Sequence, residues 1–416
     1  MDVQRGASLS GEFYSESGNR IRLTLGNFDY PSGGFKINTS KKDIYFTGPI
    51  NPKFILKKGD LITPLTEQVA GLLGTTAFIP EDNVYIQSGD IGLVTTNENR
   101  LLKGYAYYLL NSSIIKRQLG ASAQQTKIRH TSPDAIKSCV AWIPSLDQQL
   151  RITNILGTID KQIELYKKKY EIIDEFSRLI YDLWFVQYDY LCNGKPYKSS
   201  DGQIVWNKEL KAYIPLDWQV VSLSECIKSI NTGLNPRKNF VLNNGLNKYI
   251  TVKNLMANGM IDFENCDTVS DDAMRLIHRR SDIRKEDILF ASIEPLGRAY
   301  LLLEDPIDWD INESVFSLRV EKELISPYFL YFYLRSNDII KKMEQSSTGS
   351  VFKGIRISVI NDMKIALPNK ITLHLFDDIV GPLVHEQKKI EQSIKTLTHQ
   401  KRVILPLLMN GQAHLN

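Results

Sequence analysis

The chain has 416 residues, 43% hydrophobic and 24% charged, with a net charge of +4 and a pI near 8.6, a length that supplies core for about two to four domains. With no run of about 18 apolar residues and no charged-then-apolar leader, neither a membrane span nor a secretory signal is expected, and a cytoplasmic address follows. Cys139, Cys192, Cys226 and Cys266 form no CxxC pair, which argues against a zinc knuckle or redox motif and for buried structural thiols.

Residues 1–146 mix short β-prone runs (20–25, 44–46, 60–63, 91–95), broken by Gly, Pro and Asn, with a helical pattern at 105–116. This is the signature of an α+β domain. Residues 150–190 follow with no proline, and apolar residues recur every three or four positions: Ile152, Ile155, Ile159, Ile163, Tyr166, Tyr170, Ile173, Phe176, Ile180 and Leu183. A helix over 148–187 makes a rod of about 60 Å. Such a rod needs a partner for its stripe. Its opposite face, with Lys161, Glu164, Lys167, Lys168, Glu171, Asp174 and Glu175, reads as a solvated flank or a docking face. Residues 191–211, rich in Gly, Ser, Lys and Asn, mark a linker or exposed hairpin.

A second mixed region, 215–369, repeats the first. KKGDLI at 57–62 resembles RKEDIL at 284–289, YAYYLLNSSIIK at 105–116 resembles YFLYFYLRSNDIIK at 328–341, and IKSCVAWIP at 136–144 resembles INDMKIALP at 360–368. The near-constant offset, about 224 to 227 residues, is what a duplication predicts. A second long helical pattern then covers 376–411, with Leu383, Ile390, Ile394, Leu397, Ile404 and Leu408 on one stripe and Lys401 interrupting it. Pro382 is tolerable early in that helix, and Pro406 should kink or end it within a turn. The two helices are expected to pair antiparallel, since a globular domain separates them; pairing of each with another chain as a coiled coil is the rival. One asymmetry remains: a leading strand is expected over 216–230, ahead of Gly233, whereas only residues 1–5 precede the matching Gly6.

Motifs for catalysis are missing. The sequence has no GxxxxGK[ST], HExxH or GxSxG; Asn51-Pro52-Lys53-Phe54 departs from a methyltransferase NPPY and reads as a turn. Neither Glu209–Lys211 nor Asp362–Lys364 belongs to a duplicated acidic cluster able to hold Mg²⁺, and the six histidines are scattered. A binding protein is favoured, with no cofactor and no metal.

Reading DNA needs donors for phosphates and planar or amide side chains for base edges. In the second region the candidates are Arg237, Lys238, Lys253, Asn254, Arg279, Arg280 and Arg298, with the small-residue loop Ser347, Thr348, Gly349 and Ser350 followed by Lys353 and Arg356. In the first they are Arg20, Arg22, Lys36, Lys41, Thr66 and Gln68, with Gln124, Gln125, Lys127 and Arg129 in the matching loop. For any single one, a solvated surface residue is the bland reading. The tyrosines at 105, 107, 108, 328, 331 and 333 suggest base stacking, but the apolar residues among them favour core packing.

On these features the chain resembles the specificity subunits of type I restriction-modification systems. The likeness rests on the duplicated order of recognition domain and long helix, IYDLWFVQYD at 180–189 running into NGKPYKSS at 193–200, the GDLI and EDIL strands at 59–62 and 286–289, the loop at 346–350, and LPLLMNGQ at 405–412. It implies an α+β protein with recognition domains at 1–146 and 215–370, spacer helices at 147–190 and 371–416, and a linker at 191–214. Such a subunit is not itself catalytic. Each recognition domain reads one half of a bipartite, asymmetric site on double-stranded DNA, while the helices fix the gap and dock methylation subunits, with two expected. Restriction subunits complete the assembly, and no membrane is involved. A standalone DNA-modifying enzyme and a non-DNA helical scaffold are the alternatives.

Overall fold

The computed structural model describes residues 1–30, 33–67, 71–122, 129–346 and 354–412. The chain divides into two compact units, one made of residues 1–164 with 395–416 and the other of residues 165–394.

The first unit contains β1 (Asp2–Arg5), β2 (Tyr14–Ser15), β3 (Ile21–Arg22), β4 (Tyr45–Phe46), β5 (Leu61–Pro64), β6 (Thr66–Glu67), β7 (Ala77–Phe78), β8 (Tyr85–Ile86), β9 (Ile91–Thr95), α1 (Lys103–Asn111), α2 (Ser113–Ser122), β10 (Arg129–His130), α3 (Pro133–Lys137) and the start of α4 (Leu146–Tyr181). One sheet has the order β1-β9-β5-β7, another β2-β4-β3-β8. Side chains of β5 alternate between two cores. Leu61 joins Val94, Tyr105, Leu109, Ile152 and Leu156, while Ile62 joins Leu23, Phe28, Ile79 and Tyr85. The helix expected over 105–116 is two helices, because Ser112 is extended (φ −67°, ψ 151°). Its hydroxyl donates to Leu109 O and accepts from Ile115 N, so the serine closes one helix and caps the next.

The second unit takes the rest of α4, ended by a π-helical turn at Asp182–Val186, then β11 (Leu191–Cys192), β12 (Lys195–Pro196), β13 (Ile204–Asn207), β14 (Ala212–Pro215), β15 (Gln219–Ser222), α5 (Leu223–Cys226), β16 (Ile227–Thr232), β17 (Asn247–Ile250), β18 (Asp267–Val269), α6 (Asp271–Ser281), β19 (Ile288–Ala291), β20 (Ala299–Leu301), β21 (Trp309–Ile311), β22 (Val315–Val320), α7 (Pro327–Arg335), α8 (Asn337–Ser346), α9 (Ile357–Asp362), β23 (Lys364–Leu367) and most of α10 (Lys370–Met409). Its main sheet is ordered β16-β22-β19-β20; β18-β17-β21 and β15-β23 form smaller ones. Segment 191–215 is two hairpins, and Cys192 on the first is exposed, so only Cys226 among the four thiols is fully buried. The single strand expected over 216–230 is interrupted: a Ser222–Glu225 capping box starts α5, and the chain leaves β15, paired with β23, for β16, paired with β22.

Aromatic packing explains the segment at 180–189. Tyr181, Trp184 and Phe185 enter one core with Trp218, Phe329, Phe332 and Phe376, and the Phe185 ring lies edge-on to Phe329 and Phe376 at 4.7 and 4.8 Å. Burial of Tyr105, Tyr107, Tyr108, Tyr331 and Tyr333 makes these rings core rather than stacking platforms. It also lifts the Tyr105 hydroxyl to about 12.

Helices α4 and α10 pack together. In the second unit Lys169 pairs with Glu386 at 2.7 Å and Tyr181 meets Phe376, so position rises along α4 as it falls along α10. In the first unit Lys401, the apparent interruption of the stripe, pairs with Asp160 at 2.6 Å, and Asp160 also accepts from the Tyr108 hydroxyl. Beginning at Lys370 rather than near 376, α10 carries Pro382 well inside it, where the ring removes the ladder donor for Asp378 O. It ends at Met409, within a turn of Pro406.

Candidate nucleic-acid interface

In the second unit the site starts from a turn. Gly233 follows β16, its N–H donates to Asn312 O, and Asn312 N–H donates to Ile250 O. A Cβ on Gly233 would sit 1.7 Å from Ile311 O, so only glycine lets the backbone pass. Three cation-bearing segments diverge from this knot: the stretch carrying exposed Arg237 and Lys238, the 3-10 turn Val252–Asn254 with exposed Lys253, and the C-terminal end of α6 with Arg279 and Arg280. Arg280 Nε reaches Thr232 Oγ1 at 3.3 Å, which ties the helix end to the strand before Gly233. His278 Nδ1 lies 3.1 Å from Asp310 Oδ2. Burial pushes the Asp310 carboxyl above its ordinary value, against hydrogen bonds from Ile311 N–H and His278.

Two candidates in this region are structural. Asn254 is buried, closes a capping box with Thr251, and donates to Asp262 O and Asn265 O. Arg298 is partly buried and gives Nη1 to Leu255 O at 2.9 Å, while desolvation lowers its pKa. Arg356 is exposed, at the start of α9.

The first unit shows the same division. Lys36 and Lys41 are exposed and Arg20 partly so. Arg22 is 6% exposed, stacks on the Tyr14 ring at 3.7 Å and donates Nε and Nη2 to Asp43 O, so its fork is occupied. Thr66 is likewise buried and donates to Asp90 Oδ1. Arg129 lies in β10, opposite Glu67. Gln68, Gln124, Gln125, Lys127, Ser347, Thr348, Gly349, Ser350 and Lys353 lie outside the described residues.

A face that the sequence reading missed runs along α4 and the π-helical turn after it. Leu165, Ile172, Phe176, Leu179, Leu183 and Val186 are 41 to 66% exposed. From Ile172 onward they step by 4, 3, 4 and 3, the spacing of a coiled-coil seam. The side toward the unit's interior carries Tyr170, Asp174, Ser177 and Tyr181 instead. Asp174, expected on a solvated flank, is buried against Arg335, whose Nη1 and Nη2 reach its two oxygens at 2.7 and 2.9 Å. Two apolar stripes interleave along one helix, and the single stripe inferred from sequence mixed them: Phe176 belongs to the outer stripe and Tyr170 to the inner.

The architecture and this surface define a protein that presents cationic loops from α+β units joined to long helices. Comparison with known proteins agrees: residues 215–402 match the type I restriction modification DNA specificity domain. The MjaIX specificity subunit of Methanocaldococcus jannaschii is 25% identical over 315 residues, 74% of this chain and 68% of that one. The EcoBI specificity subunit of Escherichia coli is 23% identical over 345 residues, 80% and 68% of the two chains. The fold matches the crystal structure of a type I S subunit from M. genitalium with a TM-score of 0.54 at 15% identity, covering 100% of this chain and 94% of that one. The second half of the chain thus matches the specificity domain of type I restriction-modification systems, and the chain is similar along most of its length to specificity subunits of such systems.

Proposed function

We propose that the protein is the DNA sequence-recognition subunit of a type I restriction-modification complex, not itself catalytic, with each α+β domain reading one half of a bipartite, asymmetric site. The carrying observation is that three cation-bearing segments leave one backbone knot at the Gly233 turn, within the part of the chain that matches the specificity domain. Phosphate contacts from Arg237, Lys238, Lys253, Arg279 and Arg280 position such a surface on a duplex, and Lys36, Lys41 and Arg20 serve the first domain in the same way.

An internal duplication underlies the two readers. Its support is topological: β1-β9-β5-β7 and β16-β22-β19-β20 have the same strand order along the chain, α1 and α2 break at Ser112 as α7 and α8 break at Ser336, and a Thr-Asn capping box recurs at Thr24–Asn27 and Thr251–Asn254. The recognition domains are then 1–146 and 215–370, with a linker at 191–214. The helices set the unread gap: α4, 36 residues long, spans about 54 Å. The exposed seam on α4 suits docking of methylation subunits, two in number, with restriction subunits completing the complex. The protein needs no cofactor of its own.

Inserting one helical turn into both long helices, followed by mapping of methylated adenines, tests the reading. The gap should change and the half-site letters stay the same. Altered letters with an unchanged gap would refute it.

A further inference from the structure

At the C-terminal end of α6 an exposed imidazole is backed by a buried carboxylate. His278 stands in the last turn, directly before Arg279 and Arg280, and its Nδ1 lies 3.1 Å from Asp310 Oδ2. Asp310 is fully buried on β21, and its other oxygen accepts from Ile311 N–H at 2.7 Å. With Nδ1 fixed on that carboxylate, the exposed part of the ring, 47% of the side chain, is the edge that carries Nε2. Asp282 N–H donates to His278 O, so the helix ends here, and the partial negative charge of its carbonyl end adds to Asp310 in favouring a cation.

The other charged and titratable groups around α6 are occupied or turned away. Tyr249 of β17 lies opposite Asp310, and Asp267 of β18 lies opposite Tyr249, so all three share the face under α6 while Lys248 takes the other face. Tyr249, with Glu313 beside it, spends its hydroxyl on Leu234 O, and Asp267 accepts from the Asn243 amide. On β16, Lys228 stands four residues before Thr232, about 13 Å from the point where Arg280 is bonded. On α6 itself Arg275 pairs with Asp272, Asp271 accepts from the Asn247 amide, and Asp282 at its end is held by Arg284 and Arg319. Arg279 and Arg280, the chain neighbours of His278, oppose a proton on its ring until an anion sits among the three.

We propose that His278 is a DNA phosphate contact of the second recognition domain: Asp310 holds Nδ1–H, the phosphate takes Nε2–H, and the ring draws one proton from water as the duplex binds. The proposal rests on the DNA-recognition role and adds to it a contact whose strength depends on pH. A protonated ring between two anions makes charge-assisted hydrogen bonds and displaces a counterion from the duplex, which a neutral ring does not.

Binding of the full chain to a random-sequence duplex of about 30 base pairs, titrated with salt at about pH 6 and pH 8, tests it, because imidazole changes charge between about pH 5 and 8. The slope of log K against log salt should be steeper at the lower pH by up to about 0.9, the share of one phosphate, which is a further ~3-fold loss of affinity between about 50 and 200 mM salt. His278→Gln should show the parent's shallower slope at both pH values. His278→Lys, which carries its charge throughout, should show the steeper slope at both. Equal parent slopes at the two pH values, or a glutamine variant that keeps the parent's difference, would overturn the phosphate contact and leave the DNA-recognition role standing. A lysine variant no different from the glutamine variant would make His278 only a structural partner of Asp310 and overturn the contact in the same way. Parent protein that does not bind the duplex, or binds it with no dependence on salt, would overturn the DNA-recognition role itself.

Discussion

Replacing Asp174 by alanine tests how α4 is held in the second unit. The Arg335 and Asp174 side chains are 1 and 8% exposed, and their bidentate pair is the main compensation for a buried guanidinium. Without the carboxylate, Arg335 keeps only Ala257 O at 3.2 Å and the Tyr331 hydroxyl. Arg178, which also bonds Asp174, is about a third exposed and can turn to water. Breaking a buried pair from one side costs about 3 to 5 kcal/mol; the two surviving contacts put this case near the lower end, about 3 kcal/mol. In a unit of about 230 residues that is a fall of roughly 6 to 12 °C in melting temperature. Thermal unfolding followed by near-UV circular dichroism, with urea titration for the free energy, measures it. The companion variant Asp174→Leu with Arg335→Met removes both charges and should recover most of the loss. A single variant within about 1 kcal/mol of the parent, or a double variant no better than the single, would refute the argument.

The α4 seam gives a second prediction. Phe176→Asp with Leu179→Asp changes side chains that are 53 and 58% exposed, so stability should move by only about 0.5 kcal/mol per site. Binding of methylation subunits should weaken ~100-fold or more if these two anchor the docking, as a sedimentation titration will read. Undiminished assembly would remove the seam from the interface. A third prediction concerns pH. Burial raises the Asp377 carboxyl to about 6, opposed by the hydrogen bond from Ser326. Because the folded value lies above the unfolded one, this group's stabilising contribution is complete below about pH 4 and is lost as pH rises through about 6. Asp377→Asn keeps the acceptor for Ser326 and should remove that slope, so the parent-minus-variant difference in urea midpoint should fall from pH 4 to pH 7. A flat difference would refute it.

Local pattern carried much of the architecture into the sequence. Short β-prone runs beside helical patterns marked the α+β character, and apolar periodicity found α4 and α10. The site was legible only in part. Charge and residue type marked Lys253 and Arg279, which are exposed, but equally marked Arg22 and Asn254, whose donors are spent inside the fold. A sequence lists donors without showing what already occupies them.

What the sequence determined by itself was periodic and short-range: the two long helices and the mixed helix-and-strand character of the regions that precede them. Tertiary structure alone decided partnership. Nothing local distinguishes Asp174 from Glu175, yet one faces Arg335 and the other solvent. Nor does it separate Tyr170 from Phe176 on the same helix. Burial and pairing depend on which residues distant in the chain arrive opposite, and Gly233, Asn312 and Ile250 meet only when three strands have been brought together.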